Sequence, residues 1–229
     1  MDATQLRLDY FQFYEFLNPF NPVRPPVFQL KGQFDKEPMP YRLSTLARFG
    51  DRVRKNGEEL HDKNAHLTWY AIRPPDVAPV LRQVLAINQF FPNGQPLWLY
   101  NPVALLAPAQ KQLKPRSPYS PPAKLDHFLV YRVVKAEGTH PKELVLDGEF
   151  GKHEGLIYEP VFFAVPVMKR FKTVFEIINP NGHLVIYRLA LKEPMEAAIG
   201  TKDQFTTRAG MKLGISYLLA APCLKKLIG

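Results

Sequence analysis

The chain has almost no cysteine: Cys223 is the single thiol in 229 residues. One cysteine excludes an intramolecular disulfide and any zinc site built on cysteines. Long apolar runs are missing too, since no stretch approaches the roughly 20 residues of a membrane-spanning helix, which excludes a helical integral membrane protein. The start, Met1-Asp2-Ala3-Thr4-Gln5-Leu6-Arg7, has no basic leader followed by an apolar stretch. It therefore reads as a chain without a signal peptide, kept in a cytoplasmic or intravirion setting. A Gly-rich phosphate loop, a helical His-Glu-x-x-His and a Gly-x-Ser-x-Gly elbow are all absent. These absences weigh against an enzyme without excluding one, and no cofactor is expected.

What is present describes a folded β-protein. Hydrophobic residues make up 46% and charged ones 22%, enough to bury a core and too apolar for a disordered tail. Proline is the outlier, 23 of 229 residues, and it fixes φ and removes a backbone donor, so long helices cannot accumulate among so many. The segments between prolines are short, often alternating, and rich in Val, Ile, Leu, Phe and Tyr. They read as strands punctuated by turns.

Comparing the chain with itself exposes a fourfold repeat. Asp9–Phe16, Ala65–Ile72, Asp126–Val133 and Gly182–Leu189 share one strand-like pattern, with Tyr14, Tyr70, Tyr131 and Tyr187 separated by 56, 61 and 56 residues. Phe34, Phe90, Phe150 and Phe205 follow these tyrosines 20, 20, 19 and 18 residues downstream, preceded by Gln33, Gln89, Glu149 and Gln204. An apolar stretch ending in Pro108, Pro166 or Pro222 closes the last three units; the matching place in the first is Leu46-Ala47-Arg48-Phe49, without the proline. Each unit is read as a strand carrying the Tyr, a second ending at the Phe, and a third running into the Pro.

The stretch 111–124 is Pro-rich and lacks apolar periodicity, as a semi-rigid connector does. The chain is therefore expected to be all-β: four tandem repeats of 56–61 residues in two related halves, 1–110 and 125–229, each a small barrel or sandwich. A four-bladed propeller is the alternative, because such a unit suits four short strands.

The stretches Leu125–Val133, Asp147–Gly151, Val165–Lys169 and Asn179–Tyr187 resemble an uncharacterised bacterial repeat family. Its pattern runs His, two apolar-side residues, Cys-Tyr-Lys-Val, then Gln-Phe-Gly, then Leu-Cys-Asn-Pro-Val and Lys. The family consists typically of secreted, cysteine-containing proteins and brings no known activity. The resemblance implies that the two family cysteines fall here on Phe13 with Ala47, Trp69 with Leu106, Val130 with Ala164, and Ile186 with Ala221. Apolar replacement of both partners fits a reducing compartment.

Several residues are candidates for chemistry. His66, His127 and His183 hold one place in three units, with Tyr10 in the fourth, and share a strand face with the repeat tyrosines. The sharp reading is a metal site of three imidazoles; the plainer one is a structural hydrogen bond in each unit. Cys223 aligns with Ala109 and Val167 and reads as a small apolar filler. The acids Asp126, Asp147, Glu149, Glu154 and Asp203 form no evident pair. With a net charge of +9, basic residues gather at unit ends: Arg52, Arg54 and Lys55; Lys111 and Lys114; Arg116; Lys169, Arg170 and Lys172; Lys225 and Lys226. Recurring on one side, they would contact a polyanion or a partner. The aromatic head, Tyr10 to Phe20, is expected to be covered on both faces, by the same chain or in an oligomer.

The function expected first is a non-catalytic structural or interaction protein, presenting repeated β surfaces to a protein partner or to itself, as virion and other assembly components do. A binding module for anionic polymer or nucleic acid is the alternative. A metalloprotein or enzyme using the repeated histidines is the third reading.

Overall fold

The computed structural model describes residues 6–75, 78–192 and 197–228. Within them the chain is all-β and forms one large antiparallel sheet of fourteen strands. Four strands carry the repeat tyrosines: β1 (Tyr10–Phe20), β4 (His66–Arg73), β8 (His127–Ala136) and β12 (His183–Leu191). Four long ones close the units: β3 (Met39–Lys55), β6 (Gln95–Pro108) with its continuation β7 (Gln110–Gln112), β10 (Gly151–Phe171) and β14 (Thr207–Leu227). Between them lie four middle strands, β2 (Val27–Lys31), β5 (Arg82–Ile87), β9 (Lys142–Gly148) and β13 (Ala197–Lys202). A short strand, β11 (Thr173–Phe175), folds back on the end of β10.

The tyrosine strands and the long strands pair as a closed ring: β1–β3–β4–β6–β8–β10–β12–β14 and back to β1. Each tyrosine sits opposite an irregularity in its neighbour: Tyr70 faces Leu46, Tyr131 faces Pro102, Tyr187 faces Pro160 and Tyr14 faces Ser216. Two of these four places are prolines, which lack the N–H that a regular ladder would need, so they settle where pairing is already broken. The middle strands then reach across the chain. β2 pairs with the end of β10, β9 with the end of β3, β5 with the end of β14, and β13 with β7.

This pairing corrects the expected division into two separately closed halves. β6 pairs with β8 directly across the Pro-rich stretch, and β1 pairs with β14. Lys111 itself lies in β7 rather than in a connector. The continuous sheet does not divide into propeller blades either.

Alternation along the ring strands builds two apolar clusters. The inner face holds Phe11, Phe13, Leu67, Trp69, Leu106, Phe128, Val130, Ile186 and Ala220, with Leu6 and Leu8 of the N-terminal segment packed against them. The outer face holds the four repeat tyrosines under a cover of middle-strand residues such as Phe28, Val84, Leu146 and Ile199. Of the aromatic head, Tyr10, Phe11, Phe13, Tyr14 and Phe16 are buried on both faces of the strand by the same chain, whereas Leu17, Asn18 and Pro19 are exposed.

The register also revises two pairs inferred from the family resemblance. Trp69 does face Leu106 and Val130 does face Ala164, but Phe13 faces Gly50 rather than Ala47, and Ile186 faces Ala220 rather than Ala221. The ring of Phe13 fills the space of a side chain at position 50, where a Cβ would come within 2.7 Å of it. Counting two residues on from Gly50 puts Arg52, not Phe49, in the place held by Pro108, Pro166 and Pro222.

Candidate functional site

The second anchors of the repeat, Phe34, Phe90, Phe150 and Phe205, lie in the turns after the middle strands rather than within them. Side-chain oxygens build two of these turns. Asn88 Oδ1 accepts from the N–H of Phe90 (2.9 Å) and Phe91 (3.0 Å), and Asp203 Oδ1 from the N–H of Phe205 (2.8 Å) and Thr206 (3.0 Å). The turns carry each Phe onto the tyrosine of the unit two places away. Tyr14 meets Phe150 edge-on at 5.2 Å, Tyr131 meets Phe34 at 5.4 Å, Tyr70 meets Phe205 at 5.4 Å and Tyr187 meets Phe90 at 5.6 Å. No unit satisfies its own tyrosine.

The same turns bring the Gln or Glu before each Phe to the histidine and lysine of the preceding unit. The lysine comes five residues after the inward residue Gly50, Leu106, Ala164 or Ala220, giving Lys55, Lys111, Lys169 and Lys225. Their ammonium groups lie over Phe90 (5.7 Å), Phe150 (5.1 Å), Phe205 (4.6 Å) and Phe34 (4.5 Å). The four sites thus share one plan and differ in polar content.

In the first site, Tyr10 stands where the others have histidine; its hydroxyl donates to Gln89 Oε1 at 2.8 Å, and Lys55 pairs with Glu58 at 2.5 Å. The second site is the most highly charged. Buried Asp51 presents Oδ1 to Lys111 Nζ at 2.8 Å, to Arg52 Nη1 at 2.9 Å and to His66 Nδ1 at 2.9 Å, and Glu149 reaches both Lys111 and Arg52. Burial pushes the Asp51 carboxyl up, but His66 and the cations outweigh it and hold it at about 2. Burial also lowers the pKa of His66, against the opposing pull of Asp51.

The fourth site places His183 between the Asn181 carbonyl (2.9 Å) and the Gln33 amide (3.0 Å), with Lys225 also on Gln33. Burial first, and Lys225 second, take this imidazole down to about 4. In the third site, His127 meets the Gln204 amide, and Lys169 is fully buried. Lys169 Nζ has no hydrogen-bond partner among the described residues and is enclosed by Phe171, Phe175 and Phe205. Desolvation lowers this amine to about 7.

That environment gives a stability prediction. Below about pH 7 Lys169 is charged in both states and the full burial penalty applies. Between about 7 and the unfolded value near 10.4 the folded protein has lost a proton that the unfolded chain keeps, so stability rises with pH. Lys169→Met should therefore stabilise the protein by about 1–3 kcal/mol at pH 6 and by less at pH 9. Urea unfolding at the two pH values checks this; a variant weaker than the parent at pH 6 would mean that the ammonium is satisfied.

The placement revises the sequence-derived sites. His66, His127 and His183 lie in three separate sites with separate partners, and no group of three His, Cys, Asp or Glu is placed to hold a metal among the described residues. Among the proposed polyanion contacts, Lys55, Lys111 and Lys169 are buried, Arg52 and Lys225 are partly buried, and Arg54, Lys114, Arg170, Lys172 and Lys226 are exposed. The repeated lysines failed as surface charge because β-strand continuation carries them under the neighbouring Phe turn. Cys223 is fully buried in the outer cluster, and desolvation raises its thiol pKa, so it is a filler in this structure.

Sequence reasoning missed two features. One is the Asp51 cluster, whose members come from three units. The other is the open end of the ring. Its inward-facing layer consists of Glu15, Arg48, Ala71, Ala104, Arg132, Phe162, Arg188 and Leu218. The signal was available in part, since Glu15, Ala71, Arg132 and Arg188 each follow a repeat tyrosine. Arg48 pairs with Glu15 at 2.9 Å and lies 5.0 Å over the Trp69 ring, and Arg188 pairs with Glu159 at 2.8 Å. A cavity of about 670 Å3 opens there.

The family model described as Repeat of unknown function (DUF7450) matches residues 66–221, more than half of the sequence, and the chain belongs to this family. The match runs from His66 to Ala221 and leaves out the first unit, the one with Tyr10 and Arg52 in place of histidine and proline. No curated protein and no solved structure matches the chain.

Proposed function

We propose that four copies of one β unit close head to tail into an eight-stranded barrel, and that this barrel is a non-catalytic scaffold acting by contact with a protein partner or with further copies of itself. One observation carries the reading: the residues able to do chemistry are engaged in closing the ring. Each repeated lysine lies over the phenylalanine of the next unit, and His127, His183 and Tyr10 meet its glutamine. His66 meets Asp51 of the unit before it, and each tyrosine meets a phenylalanine two units away. Groups that hold the architecture together are poorly placed to turn over a substrate. The surface is then what remains for function, and on it Leu17, Val134, Ile178 and Tyr217 are exposed apolar side chains.

Light scattering of the purified chain at low and moderate salt, with absorbance at 260 and 280 nm, tests this. A discrete assembly at both salt concentrations, with the absorbance of protein alone, is expected. A monomer throughout, alone and with cell extract, would overturn the reading. The second reading, contact with an anionic polymer, draws on the six exposed basic residues at unit ends, Arg54, Lys114, Arg116, Arg170, Lys172 and Lys226. Of these only Arg54 has a carboxylate within ion-pair distance among the described residues, Asp147 at 3.7 Å. It predicts assembly confined to low salt with excess absorbance at 260 nm.

A further inference from the structure

The open end of the ring has the composition of a ligand site. Its cavity, about 670 Å3, lies within the range of small-molecule pockets, and its walls are mostly apolar: Val133, Phe162, Leu189, Ile215 and Leu218 among them. Trp69 packs edge-on against Phe162 at 5.2 Å directly beneath. Two of the three arginines at this end have carboxylate partners, Arg48 with Glu15 and Arg188 with Glu159. Arg132, exposed at the rim of the cavity, has none among the described residues. Two further polar groups of lining residues are buried without a hydrogen-bond partner, Arg48 Nε and the hydroxyl of Ser216, itself only 2% exposed. Unpartnered buried donors are costly, and a rim arginine without a carboxylate partner over an apolar floor is suited to a planar anion.

We infer that the ring mouth binds a small amphipathic carboxylate, its anionic head on Arg132 and its apolar body over Phe162 and Leu218. The charge balance fits one negative charge: three arginines face two glutamates. Away from this mouth, Leu6 and Leu8 pack into the inner cluster. This binding is independent of the assembly reading and makes no use of the His and Lys sites.

Titration calorimetry with 1-naphthoate, decanoate and 1-naphthalenemethanol tests the inference. The two carboxylates should bind about ten-fold more tightly than the neutral alcohol, and Arg132→Ala should remove that advantage while leaving the alcohol unchanged. Phe162→Ala, being closer to the interior, is paired with a thermal melt; in a folded variant both carboxylates should weaken. Preference for naphthoate over decanoate would define an aromatic body, and the reverse an aliphatic one, both within the inference. No binding of either carboxylate, equal binding of carboxylate and alcohol, or an Arg132→Ala variant that binds like the parent would each overturn it. Light scattering in the same cell reports assembly separately, so failure of one reading does not mimic failure of the other.

Discussion

Residues 1–110 and residues 125–229, expressed separately, should each give no cooperative unfolding transition, whereas the whole chain should unfold in a single step. The reason is that all four tyrosine–phenylalanine contacts of the repeat cross between those segments. Tyr14 and Tyr70 depend on Phe150 and Phe205; Tyr131 and Tyr187 depend on Phe34 and Phe90. Each segment alone would also expose the strand edges of β1, β6, β8 and β14, which pair across the division. A domain's net stability is only about 5–15 kcal/mol, and aromatic pairs contribute about 0.5–1.5 kcal/mol each beyond their burial, so losing four pairs together with the strand edges exceeds what either segment can retain. Circular dichroism during urea titration of the two fragments and the whole chain decides it. Two fragments that each melt cooperatively would restore the reading of independent halves.

Asp51→Asn should destabilise the folded protein by about 3–5 kcal/mol, the usual cost of removing one partner from a buried ion pair. Its carboxylate is the common acceptor for Lys111 and Arg52 at 2.8 and 2.9 Å, and Lys111 cannot reach water from its buried position. The pH dependence carries the same information. Asp51 titrates at about 2 in the fold and near 3.9 in an unfolded chain. Its stabilisation is fully present above about pH 4 and is lost as pH falls through 2. Urea midpoints of parent and variant should therefore converge on acidification. A variant within about 0.5 kcal/mol of the parent at pH 7, the scatter of surface substitutions, would mean that Glu149 alone balances the two cations.

The repeat anchors were legible because strand side chains alternate with period two and the same unit recurs at nearly constant spacing. The tyrosines, the Gln-Phe or Glu-Phe pairs and the closing prolines all mark equivalent places in the structure. The first unit shows where such reading slips. Leu46-Ala47-Arg48-Phe49 has the apolar ending that the other units lead one to expect, yet the ladder advances three residues and puts Gly50 opposite Phe13. Only the volume of the Phe13 ring selects the glycine, and volume across a strand pair does not enter a periodicity. Likewise the basic unit ends look like one population in sequence, but a strand that continues past the ring buries Lys111 and Lys169 and leaves Arg170, Lys172 and Lys226 exposed.

The sequence by itself determined the β class and a repetitive pattern in keeping with a repeat family, since proline content, alternation and internal spacing are local properties of the chain. Only the tertiary structure decided the partners: which phenylalanine meets which tyrosine, which glutamine reaches which histidine, and that an arginine-rich mouth opens at one end of the ring. Those contacts join residues of different units, and no local pattern distinguishes a unit that satisfies itself from one that exchanges its turns with its neighbours. Closure of the ring supplies that choice, because it fixes every unit relative to the other three at once.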